Sequence, residues 1–444
     1  MTRKQIAAFF GIVLVLCTWH LDTSPNDNTM SRALTVMALA DHGTLDITTQ
    51  HERTGDKARI RGRYYSDKAP LPTFVVLPFW WLARALGADA DDHALVLAIG
   101  GIVCGSLPLA IIITLTWLVL MRTGRVNVIP AALIALLPFL GSFLFVYSGS
   151  FYNHLLGGLL ALLAARSLQR QQLFVAGCLA GAAFLCESAF LLFAIAWAVQ
   201  AMASRRKWWL FLAGLLPGIG FMALNNVLIT GSPWAFPNAF AANYAMMHSH
   251  YGFGSWRPDA WWGLSLSPYR GLLFFAPALA FGVVLAVRSW RSRSARDLLL
   301  DPLVIPALAL TTAYFTSNAW NGGWAYGPRY LTAPAILLLF ATLTRATMGT
   351  AVERIGLLTL SGFGLLCAVA AKSTVGYALP TGVEDPLTSI VLPALLRGEF
   401  AMHQWPVALG ASPGFATAIF LFALVAGTLA CCRLELHIQT DPHR

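Results

Sequence analysis

Residues 62–70, Gly62-Arg63-Tyr64-Tyr65-Ser66-Asp67-Lys68-Ala69-Pro70, run without a break into the apolar stretch 71–86, LPTFVVLPFWWLARAL. Whether that stretch crosses a bilayer decides the topology of everything after it. Pro72 and Pro78 lie inside it and Arg84 near its end. If it crossed, the next apolar run (94–121) would leave Arg122 and Arg125 on the outer face. Basic residues at span ends collect on the cytoplasmic side, so the sequence predicts instead a helix lying in the outer interface.

Upstream of it, Leu21 to Pro70 holds seven of the 20 acidic and seven of the 30 basic residues, which makes it a charge-dense first outer loop. The run before that, Ile6 to Trp19, follows Arg3 and Lys4 and is built like a signal peptide. It has no small-residue cleavage site ahead of Trp19-His20-Leu21, so we read it as a retained anchor. The remaining chain is too apolar for a soluble protein: 57% of the 444 residues are hydrophobic and 11% charged, against about a quarter charged in soluble domains. Apolar runs of roughly 16 to 25 residues match the ~20 that cross a bilayer as a helix.

Further spans are predicted at 94–121, 128–147, 155–169, 171–186, 188–203, 208–230, 269–288, 302–317, 330–345, 355–371 and 413–432. With the first, they make about twelve, with both termini cytoplasmic. Outer loops then fall at 21–92, 148–154, 231–268, 318–329 and 372–412. No internal repeat or low-complexity tract is present. The expected fold is an all-α polytopic membrane protein, one integral domain over 1–444, with interfacial helices in a large first outer loop.

The net charge of +10 does not point to nucleic acid. The basic clusters Arg122/Arg125, Arg205-Arg206-Lys207 and Arg288/Arg291/Arg293/Arg296 sit at span ends and read as cytoplasmic anchors. The seven cysteines have no CxxC spacing, so neither a disulfide framework nor a zinc site is indicated.

Chemistry has to come from the outer loops. Two of them are aromatic and punctuated by Gly and Pro: one runs from Thr230 through Trp256-Arg257-Pro258-Asp259 to Ser267-Pro268-Tyr269-Arg270-Gly271. The other is Trp320-Asn321-Gly322-Gly323-Trp324-Ala325-Tyr326-Gly327-Pro328-Arg329-Tyr330. Trp and Tyr offer flat apolar faces and a polar handle that suit sugar rings; a headgroup-level aromatic belt is the alternative. Lys68, between Asp67 and Ala69-Pro70 at the foot of the interfacial helix, is placed to meet a lipid phosphate. His154, at a short outer turn, contacts donor phosphate or a metal, or else bonds a carbonyl. Glu187 lies between two apolar runs, where a carboxylate is a solvated turn residue or needs a partner. His248 and His250 have an HxH spacing with no third ligand.

Taken in order, the acid region 22–43, Tyr64 to Pro70 with its apolar helix, Tyr147 to His154, Glu187, Ser267 to Gly271 and Trp320 to Tyr330 resemble the C-type glycosyltransferase superfamily (GT-C). Similarity is greatest to bacterial relatives of the dolichyl-phosphate-mannose–protein mannosyltransferases and of the lipid A aminoarabinose transferases. It covers residues 1 to 345. The resemblance implies a glycosyltransferase of the bacterial inner membrane with its active site on the periplasmic face. A polyprenyl-phosphate sugar is the donor, a lipid, glycan or protein the acceptor, and transfer inverts the anomeric carbon. It places the base on an acid of the first outer loop. Relatives carry an Asp-Glu pair where this chain reads Asn26-Asp27-Asn28, so Asp27 comes first, then Asp22 and Asp46. Lys68, Arg329, Arg270 and Tyr65 are the expected donor-phosphate and lipid contacts. His154, Glu187, Trp320, Trp324 and Tyr326 are the expected substrate contacts. No metal ligand set is visible; superfamily members differ in metal dependence, and Mg²⁺ or Mn²⁺ is left open.

Two rivals remain. A transporter or flippase of lipid-linked saccharides places ionisable residues at span centres and shows inverted repeats; here the predicted span centres hold almost no charge and no repeat is evident, which favours the enzyme. A polysaccharide polymerase or ligase usually has its large outer loop late in the chain; here it comes first.

Overall fold

The computed structural model describes residues 2–123, 129–203, 207–248, 252–290, 294–345 and 350–440. Arg125, Arg205, Arg206, Arg291, Arg293 and His250, singled out above, lie outside the described residues. The first helix, α1 (Arg3–Thr18), starts on a capping box in which Thr2 and Gln5 satisfy each other's backbone amides. After the turn at residues 19–26 comes α2 (Asp27–His42). The Asn26 side chain accepts from the Asn28 amide at 3.0 Å, and Gly43, at φ 63°, closes the far end.

The first loop then departs from an all-α expectation. Strands β1 (Lys57–Ile60) and β2 (Arg63–Ser66) pair antiparallel, with Lys57 opposite Ser66 and Ile60 opposite Arg63. The cause is local. Arg61 and Gly62 both have positive φ (50° and 80°), as a two-residue type I′ turn requires. Alternate residues Ala58 and Ile60 bury against Ile229 while Arg59 faces out. The hairpin delivers Ser66, whose hydroxyl meets Ser31 of α2 at 2.7 Å, directly into α3 (Leu71–Ala85). One face of α3 buries Val76, Leu77 and Trp80; the other exposes Phe79, Trp81 and Leu82.

Among the described residues four helices are long and apolar enough to cross a membrane: His93–Thr123, Trp209–Thr230, Ala351–Ser373 and Pro413–Leu436. The chain is therefore a multi-pass membrane protein. Other expected spans fall on shorter apolar helices, among them Ala131–Leu140, His154–Gln169, Leu173–Cys186, Ser188–Ala203, Ala278–Arg288 and Val304–Tyr314. At 1.5 Å per residue these reach roughly 15–25 Å, short of the ~30 Å hydrocarbon core. Length alone thus identifies four spans rather than twelve. Leu216, Leu228, Leu366 and Phe422 point out of the bundle as lipid-facing side chains do.

The expected outer loops meet at one end of the helices. Leu21 N–H donates to His403 O (2.9 Å), Asp22 N–H to Gly149 O (2.9 Å), Ala242 N–H to Lys57 O (2.8 Å) and Ala325 N–H to Leu379 O (2.9 Å). At the opposite end Glu435 accepts from the Ala131 and Ala132 amides (2.9 and 2.8 Å), capping a helix start with a carboxylate. There Arg345 also pairs with Asp301, with one contact at 2.9 Å.

Helices Leu173–Cys186 and Trp209–Thr230 touch backbone to backbone through Gly177-xxx-Gly181 and Gly214-xxx-Gly218, the small-residue spacing of close membrane crossings. A Cβ on Gly177 would stand 2.1 Å from Phe211 O, and one on Gly214 would stand 2.1 Å from Phe174 O. Substituting Val at either position should therefore destabilise the protein by about 3 kcal/mol, read as a lowered melting temperature in detergent. A Val at Gly220, which has open space around it, should leave that temperature nearly unchanged.

Candidate active site

Five stretches far apart in sequence converge beside the hairpin. From α2 come Asn28 and Arg32, four residues apart and so on one helical face. The end of β2 brings Asp67 and Lys68. The start of helix His154–Gln169 brings Asn153 and His154, and the end of helix Leu173–Cys186 brings Glu187. The last turns of helix Trp209–Thr230 bring Asn225 and Asn226. With Phe236, Asn238 and Tyr330 these residues line a cavity of about 110 Å³. That is below the roughly 300–1,000 Å³ of drug-sized ligand sites, a size for a small polar head group. A larger apolar groove, about 300 Å³, lies between α1 and helix His93–Thr123; Arg3 is its only charged lining residue, so it offers no chemistry.

Lys68 is held by two acids: its Nζ lies 2.7 Å from Asp56 and 3.0 Å from Asp67. Burial opposes its charge, yet the two carboxylates raise its pKa above the ordinary lysine value, so it stays an ammonium. Asp67 goes the other way: burial pushes its carboxyl above the usual range. Asp56 is also buried, but the Lys68 ammonium holds it below the ordinary 3.8.

Arg32 is 2% exposed, with no carboxylate within 4.0 Å among the described residues. Its guanidinium donates instead to the Asn28 carbonyl (2.9 Å), the Asn28 side chain, and Asn153 Oδ1 (2.7 Å). Asn153 passes the contact on, donating to Glu187 Oε2 at 2.8 Å. Burial raises the Glu187 pKa, and His154 Nδ1 stands 4.0 Å from the same oxygen. Several buried polar atoms on these lining residues have no partner: Arg32 Nε, His154 Nε2, Asn226 Oδ1 and Asn238 Oδ1. Native proteins rarely leave such atoms unmatched. Their gathering around one cavity marks a place made for a polar ligand.

The sequence-predicted residues divide by position. Lys68, His154 and Glu187 line the cavity. Arg329 lies behind it, donating to Tyr152 Oη at 3.2 Å with its guanidinium over the rings of Tyr152 and the lining residue Tyr330. Asp27 is exposed at the start of α2 and accepts from Gly55 N–H at 2.6 Å, next in sequence to the lining residue Asn28. Asp22 is buried and bonded to Tyr377. Asp46 accepts from the Thr48 amide (2.8 Å) and pairs with Arg63 at 3.4 Å. Tyr65 packs against the small cluster of Ala58, Ile60 and Ile229.

Arg270 is fully buried and donates to four carbonyls, those of Tyr269, Asn321, Gly323 and Leu379. Trp320 bonds Asp259 (3.1 Å), Tyr326 is buried with its amide on Tyr147 Oη (3.0 Å), and Trp324 is exposed. These four residues build and display the aromatic loop and do not line the cavity. Arg32, Asp56, Asn226 and Asn238 are site residues that the sequence reading passed over. For Arg32 a signal existed: a lone Arg one helical turn after Asn28. For Asn226 it was an Asn-Asn pair near the end of a span.

His248 bonds the Ala241 carbonyl (2.8 Å), and no group of three or more His, Cys, Asp or Glu able to hold a metal occurs among the described residues.

No protein-family model and no curated protein matches the chain. Among solved structures it is similar to crystal structures of ArnT from Cupriavidus metallidurans. One, bound to undecaprenyl phosphate, shares 14% identity at a TM-score of 0.49; the other, in the apo state, shares 15% at 0.46. Both alignments cover 98% of this chain and 76% of that one.

Because the Asp56 carboxyl is held below 3.8, its pairing stabilises the fold above about pH 4 and is lost as the pH falls through the lowered value. Asp56→Asn should cost roughly 3–5 kcal/mol at pH 7 and show less acid sensitivity than wild type below pH ~4. Thermal unfolding in detergent across the acid range measures both.

Proposed function

We propose that this chain is a membrane glycosyltransferase that moves one sugar from a polyprenyl-phosphate donor to an envelope acceptor on the outer face. The observation that carries the reading is the meeting, in one small cavity, of Lys68 and a buried Arg32 without an acid partner. Both stand where α3 begins, a helix whose exposed face carries Phe79, Trp81 and Leu82. An anionic head can sit between the two cations while an isoprenoid tail lies along the apolar face. The leaving polyprenyl phosphate gains negative charge as the sugar departs, and cations already in place stabilise that change. Arg329, stacked behind Tyr330, adds a longer-range positive field.

The acceptor hydroxyl must lose its proton as the C1–O bond forms. We assign that task to Asp27. It is exposed at the mouth of the first loop, with one oxygen fixed by the Gly55 amide, which leaves the other for an incoming hydroxyl. In-line attack from that side inverts the anomeric centre. Glu187, inside the cavity and turned toward Asn153, suits an orienting role on the donor. The size of the cavity favours a single-sugar head over the oligosaccharides a flippase, polymerase or ligase handles. The acceptor is a lipid, glycan or protein of the envelope that presents a hydroxyl.

Purified protein assayed with a synthetic polyprenyl-phosphate sugar tests the reading. Asp27→Asn should lower turnover about a hundredfold or more with little change in melting temperature. Wild-type turnover there, with a comparable loss in Glu187→Gln, would move the base to Glu187. Lys68→Ala should raise the KM for donor; unchanged donor kinetics would remove its assigned role.

A further inference from the structure

Helix Trp209–Thr230 carries two adjacent asparagines, Asn225 and Asn226, inside an apolar run that reads Met222-Ala223-Leu224 before them and Val227-Leu228-Ile229 after. Both are buried, Asn226 completely. The Asn226 Nδ2 donates to Pro233 O at 3.1 Å, which fixes the orientation of the amide and leaves Oδ1 buried with no partner. Asn238, from the loop that follows, also leaves its Oδ1 buried and unmatched. An unpaired buried amide oxygen costs about 1–3 kcal/mol. Two of them on one cavity wall, beside the apolar surfaces of Met222, Phe236 and Pro237, describe something the wall is built to receive.

The lining of the cavity differs in kind from element to element. Arg32, Asp67, Lys68 and Glu187 bring its charges, from α2, the end of β2 and the end of helix Leu173–Cys186. Residues 222–226 and 236–238 contribute amides and apolar faces and no ionisable side chain; Glu187, at the adjoining helix end, is engaged by Asn153. We infer that Asn225, Asn226 and Asn238 form the sugar subsite of the donor site and select an uncharged, hydroxyl-bearing sugar. The inference rests on the glycosyl-transfer reading above. Each free amide oxygen accepts from a sugar hydroxyl, and the C–H face of the ring packs on Phe236. None of residues 222–226 and 236–238 offers a charge opposite to a sugar's ammonium or carboxylate; the phosphate stays with Lys68 and Arg32.

The test uses the full chain in nanodiscs and three probes: undecaprenyl phosphate, the same carrier bearing a neutral hexose (mannose, glucose and galactose forms in turn), and the carrier bearing a 4-aminopentose. Asn226→Ala and Asn238→Ala should each weaken binding of the preferred hexose carrier about tenfold or more, with bare carrier changed by less than about twofold. Wild type should bind that hexose form more tightly than the aminopentose form. Equal losses on bare and sugar-bearing carrier, no loss at all, or a wild-type preference for the amino sugar would each overturn the subsite. If Asn226→Ala unseats the Pro233 loop, Asn238→Ala decides alone, since its Oδ1 has no partner to lose. Wild type that binds no carrier would sink the glycosyl-transfer reading itself, and the subsite with it. Wild type that binds bare carrier alongside indifferent Asn variants sinks the subsite only.

Discussion

An ammonium caught between two carboxylates holds the first loop together. Lys68 ties Asp56, just ahead of the hairpin, to Asp67, just after it, and so closes the hairpin's base against the start of α3. A lone buried charge would be prohibitive, and a buried ammonium between two carboxyls is tolerable only with close geometry. The geometry is supplied by strand pairing and by the Ser31–Ser66 contact. Everything the cavity contains on that side depends on this closure: the direction in which α3 leaves, the position of Asp67, and the face that α2 turns toward it.

The other side depends on a different constraint, the direct backbone contact of two glycine-bearing helices. It brings the end of one, with Glu187, beside the end of the other, with Asn225 and Asn226. Two rigid units thus face each other: a polar hairpin-and-helix assembly carrying charge, and a tight helix pair carrying amides. Asn153 connects them, accepting from Arg32 and donating to Glu187. A change at either contact would be felt across the cavity without touching a ligand.

Much of this was legible in the sequence where a residue's type determined its surroundings. Hydropathy and the placement of arginines point to a membrane protein with its polar loops gathered at one end, and Lys68, His154 and Glu187, polar residues that stand out at turns beside apolar runs, line the cavity. What escaped was set by tertiary proximity. Nothing local says that Asp56 rather than Asp46 meets Lys68; strand register decides that. Arg270 was read as a possible phosphate ligand because of its loop, yet four backbone carbonyls surround it. The hairpin was missed because Arg61-Gly62 is a weaker turn signal than Asn-Gly, and the glycine zipper because its spacing hides among other small residues. The expected spans do not each form one long helix because hydropathy measures apolar length, whereas Gly141 and Ala276-Pro277 interrupt the helices themselves.

The guanidinium of Arg32 has one more implication. Lys68 is flanked by Asp56 and Asp67, whereas Arg32 is bonded to amide and carbonyl oxygens alone, with the carboxyls of Asp67 and Glu187 on the same cavity. A phosphodiester head would bring one negative charge to that guanidinium; a diphosphate linkage would bring two into the neighbourhood of those carboxyls. Discrimination between one-phosphate and two-phosphate carriers would then be built into the resting protein, before any contact with the glycan.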